Sequence, residues 1–430
     1  MSIPACPADH LFGPPAPLYS LAEHAPFLER ATQDQDESRA SLALAAYATG
    51  RLIDRCIARS SRPAAAELDR ELASIRAHVG EPPQDHPEGA HLSRVLAALD
   101  PDPRATPGLG KALLAYAAFL EQQGRLEEAL EVTALAARAY GPGISPGDYA
   151  ECALTGGRLN RLLARWEAAL TCYQAAELSG REQGDAVAAL RGRLGQGAVA
   201  RGRGNLPAAR AIAEGVREEA RNGNLPEVQA VACADLAAAW SELGQPVEAL
   251  AADYEAFRLA RDPVDRMRTL GNVGVDLAQL GWHDAARTAF TIVLRSDAKA
   301  TVQLNALLEL MVLEAGVGDA AAFEGHYRAA EDCRHQMPPS MVVDFLFKTA
   351  SGRRRFGHLA AARASLTEAQ TVAEAHDLHA WTFRIDRALH DLGAADAAAR
   401  LAEPPATPPR ESPVVREVAA GLEEYAATTR

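Results

Sequence analysis

Aromatic side chains and lysine are both scarce in this sequence. Phe, Trp and Tyr make up 5% of its 430 residues, and lysine occurs only at Lys111, Lys299 and Lys348. Few rings and abundant alanine favour closely packed helices, because alanine is the best intrinsic helix former. With 48% hydrophobic and 23% charged residues, wholesale disorder is excluded.

The sequence also lacks an excess of positive charge and any long apolar run. Its 57 acidic residues outnumber 44 basic ones, and the net charge of −13 argues against a general nucleic-acid or anionic-membrane binder. No apolar stretch approaches the roughly 18 residues of a transmembrane helix. Residues 1–17 have neither a basic start nor a long apolar core, so we expect no signal peptide.

No Cys-x-x-Cys pair occurs among the scattered cysteines. Their spacing is unlike that of a disulfide scaffold or a zinc site, and it predicts small, buried, reduced thiols in a cytoplasmic protein. The six are Cys6, Cys56, Cys152, Cys172, Cys233 and Cys333.

Internal repetition dominates the middle of the chain. The corresponding alanines Ala129, Ala169, Ala209 and Ala249 are spaced by 40 residues. A glycine stands five residues before this position in most copies, where a left-handed backbone can end one helix before a short turn and a second helix. These glycines are Gly124, Gly204, Gly244, Gly281, Gly318, Gly357 and Gly393.

Further glycines recur inside the first helix of a copy. Gly157, Gly197 and Gly274 stand seven residues before the turn position. A glycine within a helix costs about 1 kcal/mol relative to alanine. Its recurrence at one repeat position therefore predicts close contact between paired helices.

This pattern resembles the tetratricopeptide repeat (TPR), most closely at residues 270–282, and the resemblance covers about residues 105–400. Repeats of this greater length are similar to those of bacterial TPR regulators and kinesin light chains. The resemblance implies an all-α fold, an α-solenoid of antiparallel helix pairs wound as a right-handed superhelix. Two copies depart from it, since Ala164 replaces the turn glycine and Phe323 replaces the key alanine.

The composition predicts four regions. Residues 1–36 form an irregular, Pro-rich arm, residues 37–104 a helical cap or degenerate repeat, residues 105–402 the TPR-like array, and residues 403–430 a Pro-rich linker with an amphipathic helix. We expect that last helix to cap the final repeat; the alternative is docking in the groove or on a second subunit. Candidate docking side chains in the arm are Leu11, Phe12, Leu18, Tyr19, Phe27 and Leu28.

Motifs that superficially match catalytic or binding signatures fail on their chemistry. Ser145 lies in a Gly-x-Ser-x-Gly string, but Pro146 has no N–H for an oxyanion hole. Residues 195–200 spell Gly-x-Gly-x-x-Ala within a predicted helix, whereas a dinucleotide site needs a preceding strand. His376, His379 and His390 have no zinc spacing. We therefore predict no catalytic residue, no metal and no cofactor, and a protein that is not an enzyme.

The resemblance also implies a binding surface, because the first helix of each TPR pair lines a concave groove. Asn272 matches the family position whose side-chain amide contacts peptide backbone. Arginine forks suit carboxylates and phosphates, so the predicted ligand is an acidic peptide or protein tail. The alternative is that these side chains pair with groove carboxylates or are merely solvated. The predicted groove residues are Arg158, Arg161, Arg191, Arg201, Arg268, Asn272, Lys348 and Arg354.

The function expected from these observations is non-catalytic binding of a protein or peptide by a scaffold or adaptor. Nucleic acid and membrane are not expected partners, and the oligomeric state stays open. A second hypothesis is a peptide-sensing regulatory protein resembling quorum-sensing TPR regulators. An enzyme is the third class, which would require a polar groove residue essential for turnover.

Overall fold

The computed structural model describes residues 11–12, 24–58, 63–79, 87–99, 107–140, 145–376, 378–397 and 410–428. Within these ranges the regular structure is entirely helical. The chain divides into two compact units, Met1–Asn205 and Leu206–Arg430.

The N-terminal unit stacks helices that follow one another along the chain. Helices α5 and α6 pack together, as do α7 and α8, while α6 also packs on α7 and α8 on α9. The first helices α7 and α9 touch directly as well, which is the arrangement expected for TPR-like pairs. The helices are α1 (Ala25–Gln33), α2 (Glu37–Ile57), α3 (Ala65–Val79), α4 (Pro87–Ala98), α5 (Pro107–Gln122), α6 (Leu126–Tyr140), α7 (Pro146–Leu162), α8 (Trp166–Gln183) and α9 (Ala186–Gly202).

The C-terminal unit repeats this packing. Its helices are α10 (Leu206–Asn222), α11 (Pro226–Glu242), α12 (Pro246–Leu259), α13 (Pro263–Gln279), α14 (His283–Arg295), α15 (Ala300–Val317), α16 (Ala320–Asp332), α17 (Pro339–Arg355), α18 (Leu359–Ala375), α19 (His379–Ala397) and α20 (Pro413–Thr428). The first helices α13, α15 and α17 lie side by side, and each packs on its own second helix. The predicted all-α architecture of TPR-like helix pairs is therefore confirmed within each unit.

The turns between paired helices have the predicted backbone. Gly124, Gly281 and Gly357 adopt φ values of 75°, 80° and 76°. Ala164 takes the same left-handed conformation, with φ 55°, although it carries a Cβ. The turn at Gly393 was predicted wrongly, because α19 continues through this residue to Ala397. A helix can absorb one glycine at a cost of about 1 kcal/mol relative to alanine.

Glycines and large rings complement each other between paired helices. A Cβ placed on Gly157 would lie 2.8 Å from the Tyr173 ring, and one on Gly274 would lie 2.6 Å from Cε1 of Phe290. Phe323, the residue that replaces a small alanine, is buried against Gly352 of the next first helix. The Phe323 ring therefore fits because the residue facing it, Gly352, has no side chain.

The N-terminal arm docks partly as expected. Leu11 is 6% exposed, and its carbonyl oxygen lies 3.7 Å from the Cys172 Sγ. The Phe12 ring lies against Gly156 of α7, and Phe27 is buried in the core of the same unit. Leu18 and Tyr19 lie outside the described residues.

Helix α20 does not cap the last helix pair as expected. It packs instead on α12 and α14, the second helices of two earlier pairs in the same unit. Val415, Val418 and Leu422 are at most 1% exposed in that contact, and the Tyr425 ring meets Phe257 edge-on at 5.3 Å. The apolar face of α20 follows from its sequence, whereas the place where it binds depends on the shape between α12 and α14.

Helix α15 is long and apolar enough to cross a membrane by length and composition alone. Half of these 18 residues are buried inside the structure. The helix contacts α13, α14, α16 and α17. Such burial is typical of a core helix.

Candidate functional site

The predicted groove residues of the N-terminal unit lie on the first helices α7 and α9. Arg158 forms a two-pronged ion pair with Glu121 of α5, with both N···O distances at 2.8 Å. Arg191 lies 3.7 Å from Glu151 of α7. Both pairs connect neighbouring first helices, so they reinforce the stacking of the repeats.

The other two groove residues of this unit have different surroundings. Arg161 is half-buried, and its Nε has no hydrogen-bond partner among the residues that the structure describes. Arg201 is also half-buried, near the end of α9. Arg161 lies three residues after Arg158 and therefore on the same face of α7.

The groove residues of the C-terminal unit are also partnered. Lys348 Nζ lies 2.8 Å from Glu309 Oε1 on α15 and 2.6 Å from Asp344 Oδ2 on its own helix. Burial disfavours the Lys348 charge, but the two carboxylates outweigh it and raise the pKa of the ammonium. Arg268 pairs at 2.9 Å with Asp265 one turn away on α13. Four of the predicted groove residues therefore pair with carboxylates, as in the alternative given above: Arg158, Arg191, Arg268 and Lys348.

Asn272 contacts a buried pair of carboxylic acids. Its Nδ2 donates to Asp253 Oδ1 at 3.4 Å, and Asp253 and Asp276 are 5% and 4% exposed. Burial raises the pKa of both carboxyls, and the negative charge of Asp253 adds to the rise at Asp276. Burial of both acids therefore favours their neutral forms over simultaneous ionisation.

A cavity of about 370 Å³ opens between the first helices α17 and α19, and both helices pack on α18 at its base. We call it the arginine pocket. Arg354, the last of the predicted groove residues, forms part of its wall. Its lining residues are Phe347, Ala350, Ser351, Arg354, Leu366, Arg384, Arg387, Ala388, Asp391 and Leu392.

Aromatic rings hold one arginine of this pocket in place. The Arg384 Cζ lies 4.1 Å from the centroid of the Trp381 ring and 5.1 Å from that of Phe347. The two ring centroids are themselves 5.7 Å apart. Stacking of this kind fixes the guanidinium plane while leaving its N–H groups able to bind an anion.

Charged side chains form part of the wall of the arginine pocket. Arg354, Arg384 and Arg387 line it together with a single carboxylate, that of Asp391. The Asp391 side chain is 56% exposed and lies 3.7 Å from His390 Nδ1, so solvent screens it. The pocket therefore combines an apolar base with a positively charged wall.

Sequence reasoning missed Arg384 and Arg387. The signal was present, because Trp381 and Arg384 are separated by one helical turn, a spacing that places their side chains on one face. It was missed because the groove positions taken from the repeat pattern ended with Arg354, on the first helix before α19.

The structure also gives the surroundings of the residues considered above for catalysis and metal binding. They contain no cluster of three or more His, Cys, Asp or Glu side chains that could hold a metal ion. The Ser145 hydroxyl caps α7 by accepting from the Asp148 N–H at 3.1 Å. Burial raises the pKa of Cys152 and of Cys172 to about 12, which keeps both thiols protonated and unreactive.

No family model and no curated protein matches the sequence. Among solved structures, the apo form of RapI is 13% identical with a TM-score of 0.47, covering 62% of this chain and 99% of that one. A Rap protein complexed with Competence and Sporulation Factor is 12% identical, with a TM-score of 0.44 over 84% and 99% of the two chains.

The apo form of the quorum sensor NprR from B. thuringiensis is 15% identical, with a TM-score of 0.44 over 66% of this chain and 87% of that one. These identities are low. The fold assignment rests on the helix pairs and left-handed turns of the chain itself. These features make it a TPR-like repeat protein.

Proposed function

We propose that this chain is a non-catalytic binding protein that holds a peptide, or a segment of another protein, in the arginine pocket and along the adjoining first helices. An acidic group of the ligand would contact Arg384 and Arg387. The observation that carries this proposal is the pocket itself, whose volume of about 370 Å³ falls within the usual range for ligand sites.

The contacts that the arginines already make favour the arginine pocket over the rest of the predicted groove as the site where an acidic group binds. A ligand that bound Arg158 or Lys348 would have to displace a carboxylate already 2.8 Å away. Arg384 is instead oriented by two rings, so little side-chain freedom is lost when a ligand binds. The pocket is therefore the better anchor for an acidic group.

A cytoplasmic location is part of the same proposal. The five described cysteines form no disulfide with one another, and four of them are buried. Reduced thiols of this kind are usual in the cytoplasm, where disulfides are rare. A binding role without catalysis also agrees with helix-capping and core-packing roles for the serine and cysteine side chains considered above.

A binding assay with defined peptides tests the proposal. Fluorescein-labelled peptides that alternate glutamate with leucine or phenylalanine are titrated with the protein, and the matching glutamine peptides serve as ligand controls. We expect Arg384→Gln combined with Arg387→Gln to weaken binding about tenfold or more, because each charge-assisted hydrogen bond contributes about 1.5–3 kcal/mol.

A charge-matched control separates specific from general electrostatic effects. Arg295→Gln combined with Arg328→Gln removes two charges from the second helices α14 and α16, and it should leave affinity unchanged. Equal losses in both double variants, or none in either, would remove the proposal. Arg158→Glu with Arg161→Glu asks whether the ligand also reaches the N-terminal unit. Small-angle scattering on the same samples distinguishes a scaffold from a peptide-sensing regulator, which is expected to compact.

A further inference from the structure

We infer that the protonated imidazole of His24 is a pH-sensitive latch, which holds helix α1 against α2 and α6 and releases it when the proton is lost. The latch is a device of the N-terminal unit and does not depend on the proposed function. His24 directly precedes α1, and its side chain is 2% exposed.

Both ring nitrogens of His24 face a carboxylate. Nε2 lies 3.0 Å from Asp54 Oδ2 on α2, and Nδ1 lies 3.2 Å from Glu131 Oε2 on α6. An ionised carboxylate only accepts hydrogen bonds. A neutral imidazole has one N–H and donates to one of these two acceptors, whereas the imidazolium donates to both. The geometry therefore suits the charged form of the ring.

Backbone strain at His24 favours release once this charge is gone. The residue adopts φ 56°, a left-handed conformation that residues with a Cβ rarely take. Its ring lies directly against α2, because a Cβ placed on Gly50 would come within 2.9 Å of the ring atoms Cδ2 and Nε2. Strain of this kind persists only where surrounding contacts hold it, and the ion pairs to Asp54 and Glu131 supply such contacts.

Arginines make the other ion pairs around α1. Arg138 lies 3.2 Å from Asp54 at the His24 end, and Arg30 lies 2.9 Å from Glu88 at the opposite end. Arginine keeps its charge throughout the range in which a histidine titrates. Among the basic side chains that the structure describes at these contacts, His24 is therefore the one whose charge changes near neutral pH. The other titratable groups that face α1 are Asp54 of α2, Glu88 of α4, Tyr116 of α5, and Glu128 and Glu131 of α6.

The contacts of His24 set the pH range over which the latch opens. Burial alone would lower the pKa of His24, but hydrogen bonds and charges from Asp54 and Glu131 outweigh it and raise the pKa from 6.5 to about 9. Between these values the docked state binds more protons than the undocked state. Docking is therefore strongest below about pH 6.5 and weakens as the pH rises to about 9, by up to about tenfold in its equilibrium constant per pH unit.

Hydrogen exchange of the full chain measures the latch. Amide exchange of α1 is followed by mass spectrometry from about pH 6 to about pH 9 and corrected for the intrinsic pH dependence of exchange, with α8 of the same unit as the reference. We expect the opening of α1 to increase by up to about tenfold per pH unit, and that of α8 to change much less. An α1 that opens no more readily at about pH 9 than at about pH 6.5 would overturn the inference.

Removing the titratable ring assigns the pH dependence to His24. His24→Gln cannot carry the charge, so it should open α1 about tenfold or more at pH 7 and remove most of the dependence on pH. Circular dichroism confirms that the variant keeps its helicity. A folded His24→Gln chain with the wild-type pH profile would show that another group controls α1.

A milder variant tests the latch even where His24→Gln does not fold. The Glu131 side chain is 35% exposed, and Glu131→Gln removes one charge beside the ring while leaving the ring in place. We expect a lower pKa of His24, and therefore an α1 that opens about threefold or more at pH 8 relative to the wild-type chain. Glu127→Gln is the matched control, because Glu127 lies on the same helix, is 47% exposed and pairs with Arg165. Equal shifts in both variants, or none in either, would show that the charge of His24 does not hold α1.

Discussion

Lys348 Nζ and Glu309 Oε1 are 2.8 Å apart although 39 residues separate them in the sequence. Arg355 reaches across the same two helices and donates to the Gly316 carbonyl oxygen at 2.8 Å, again over 39 residues. This separation is close to the length of one repeat. Polar contacts at the repeat period therefore join α15 to α17 on the face where the groove was predicted.

Replacing Lys348 with methionine should lower the free energy of unfolding by about 1–3 kcal/mol, because Glu309 and Asp344 would lose their shared counterion in a half-buried position. Denaturant unfolding measures the change. Arg268→Met removes an exposed pair with Asp265 and should cost less than about 1 kcal/mol. Similar costs at both positions would show that the Lys348 pairs contribute no more than a surface ion pair.

Two glycines on α13 should respond oppositely to alanine. Nothing lies within 4 Å of a Cβ at Gly271, so Gly271→Ala should stabilise the protein by up to about 1 kcal/mol through helix propensity. Gly274→Ala would place a Cβ 2.6 Å from the buried Phe290 ring and should destabilise by about 1–3 kcal/mol. Thermal unfolding of both variants checks this, and a neutral Gly274→Ala would contradict the assigned contact.

The buried Asp253 and Asp276 pair should make stability fall with rising pH. The unfolded carboxyl of Asp276 ionises near 3.8, but burial first, and then the charge of Asp253, raises its folded pKa to about 8. Between these values the folded state binds more protons than the unfolded state, so the free energy of unfolding decreases as pH increases.

Asp276→Asn removes the contribution of Asp276 to this dependence, because the amide stays neutral, while Asp253 remains buried and titratable. We expect a flatter stability profile and a gain of about 1 kcal/mol or more at pH 8, measured by denaturant unfolding across the range. Asp265→Asn, at an exposed position on the same helix, is the control and should keep the wild-type slope. A slope unchanged by Asp276→Asn would refute the raised pKa of Asp276.

Truncating Leu422 tests the docking of α20. The side chain is 1% exposed within the cluster that includes Phe257 and Phe290, so Leu422→Ala should cost about 2–4 kcal/mol. The exposed neighbour Glu423→Ala should change stability by less than about 0.5 kcal/mol. A loss at Leu422 no larger than at Glu423 would mean that α20 is not held as described.

The repeat architecture could be predicted because its determinants are local. A glycine such as Gly281 ends one helix by its backbone alone, and the seven-residue offset of Gly274 marks where two helices meet. The error at Gly393 has the same origin, because a glycine is a local turn signal, yet a helix tolerates one at a cost of about 1 kcal/mol. The position where α20 packs depends on a surface formed jointly by α12 and α14. No local sequence pattern describes such a surface.

The candidate site was predicted only in part. Arg354 was identified by its repeat position. Arg158 and Lys348 each pair with a glutamate of the preceding first helix, Glu121 and Glu309, and the repeat position alone does not reveal these partners. The pocket lies where α17 and α19 both pack on α18, and such packing between helices is not written in a local pattern. Arg384 owes its orientation to Phe347, a ring 37 residues earlier in the chain.

The packing of α20 on α12 and α14 also changes how the C-terminal unit unfolds. In a simple array each repeat touches only its neighbours, so melting can begin at an end and advance step by step. Here the chain passes through α15 to α19 and then returns to α12 and α14, which ties the tail of the unit to its middle. Long-range closure of this kind favours a single cooperative transition and slower folding than a purely local array.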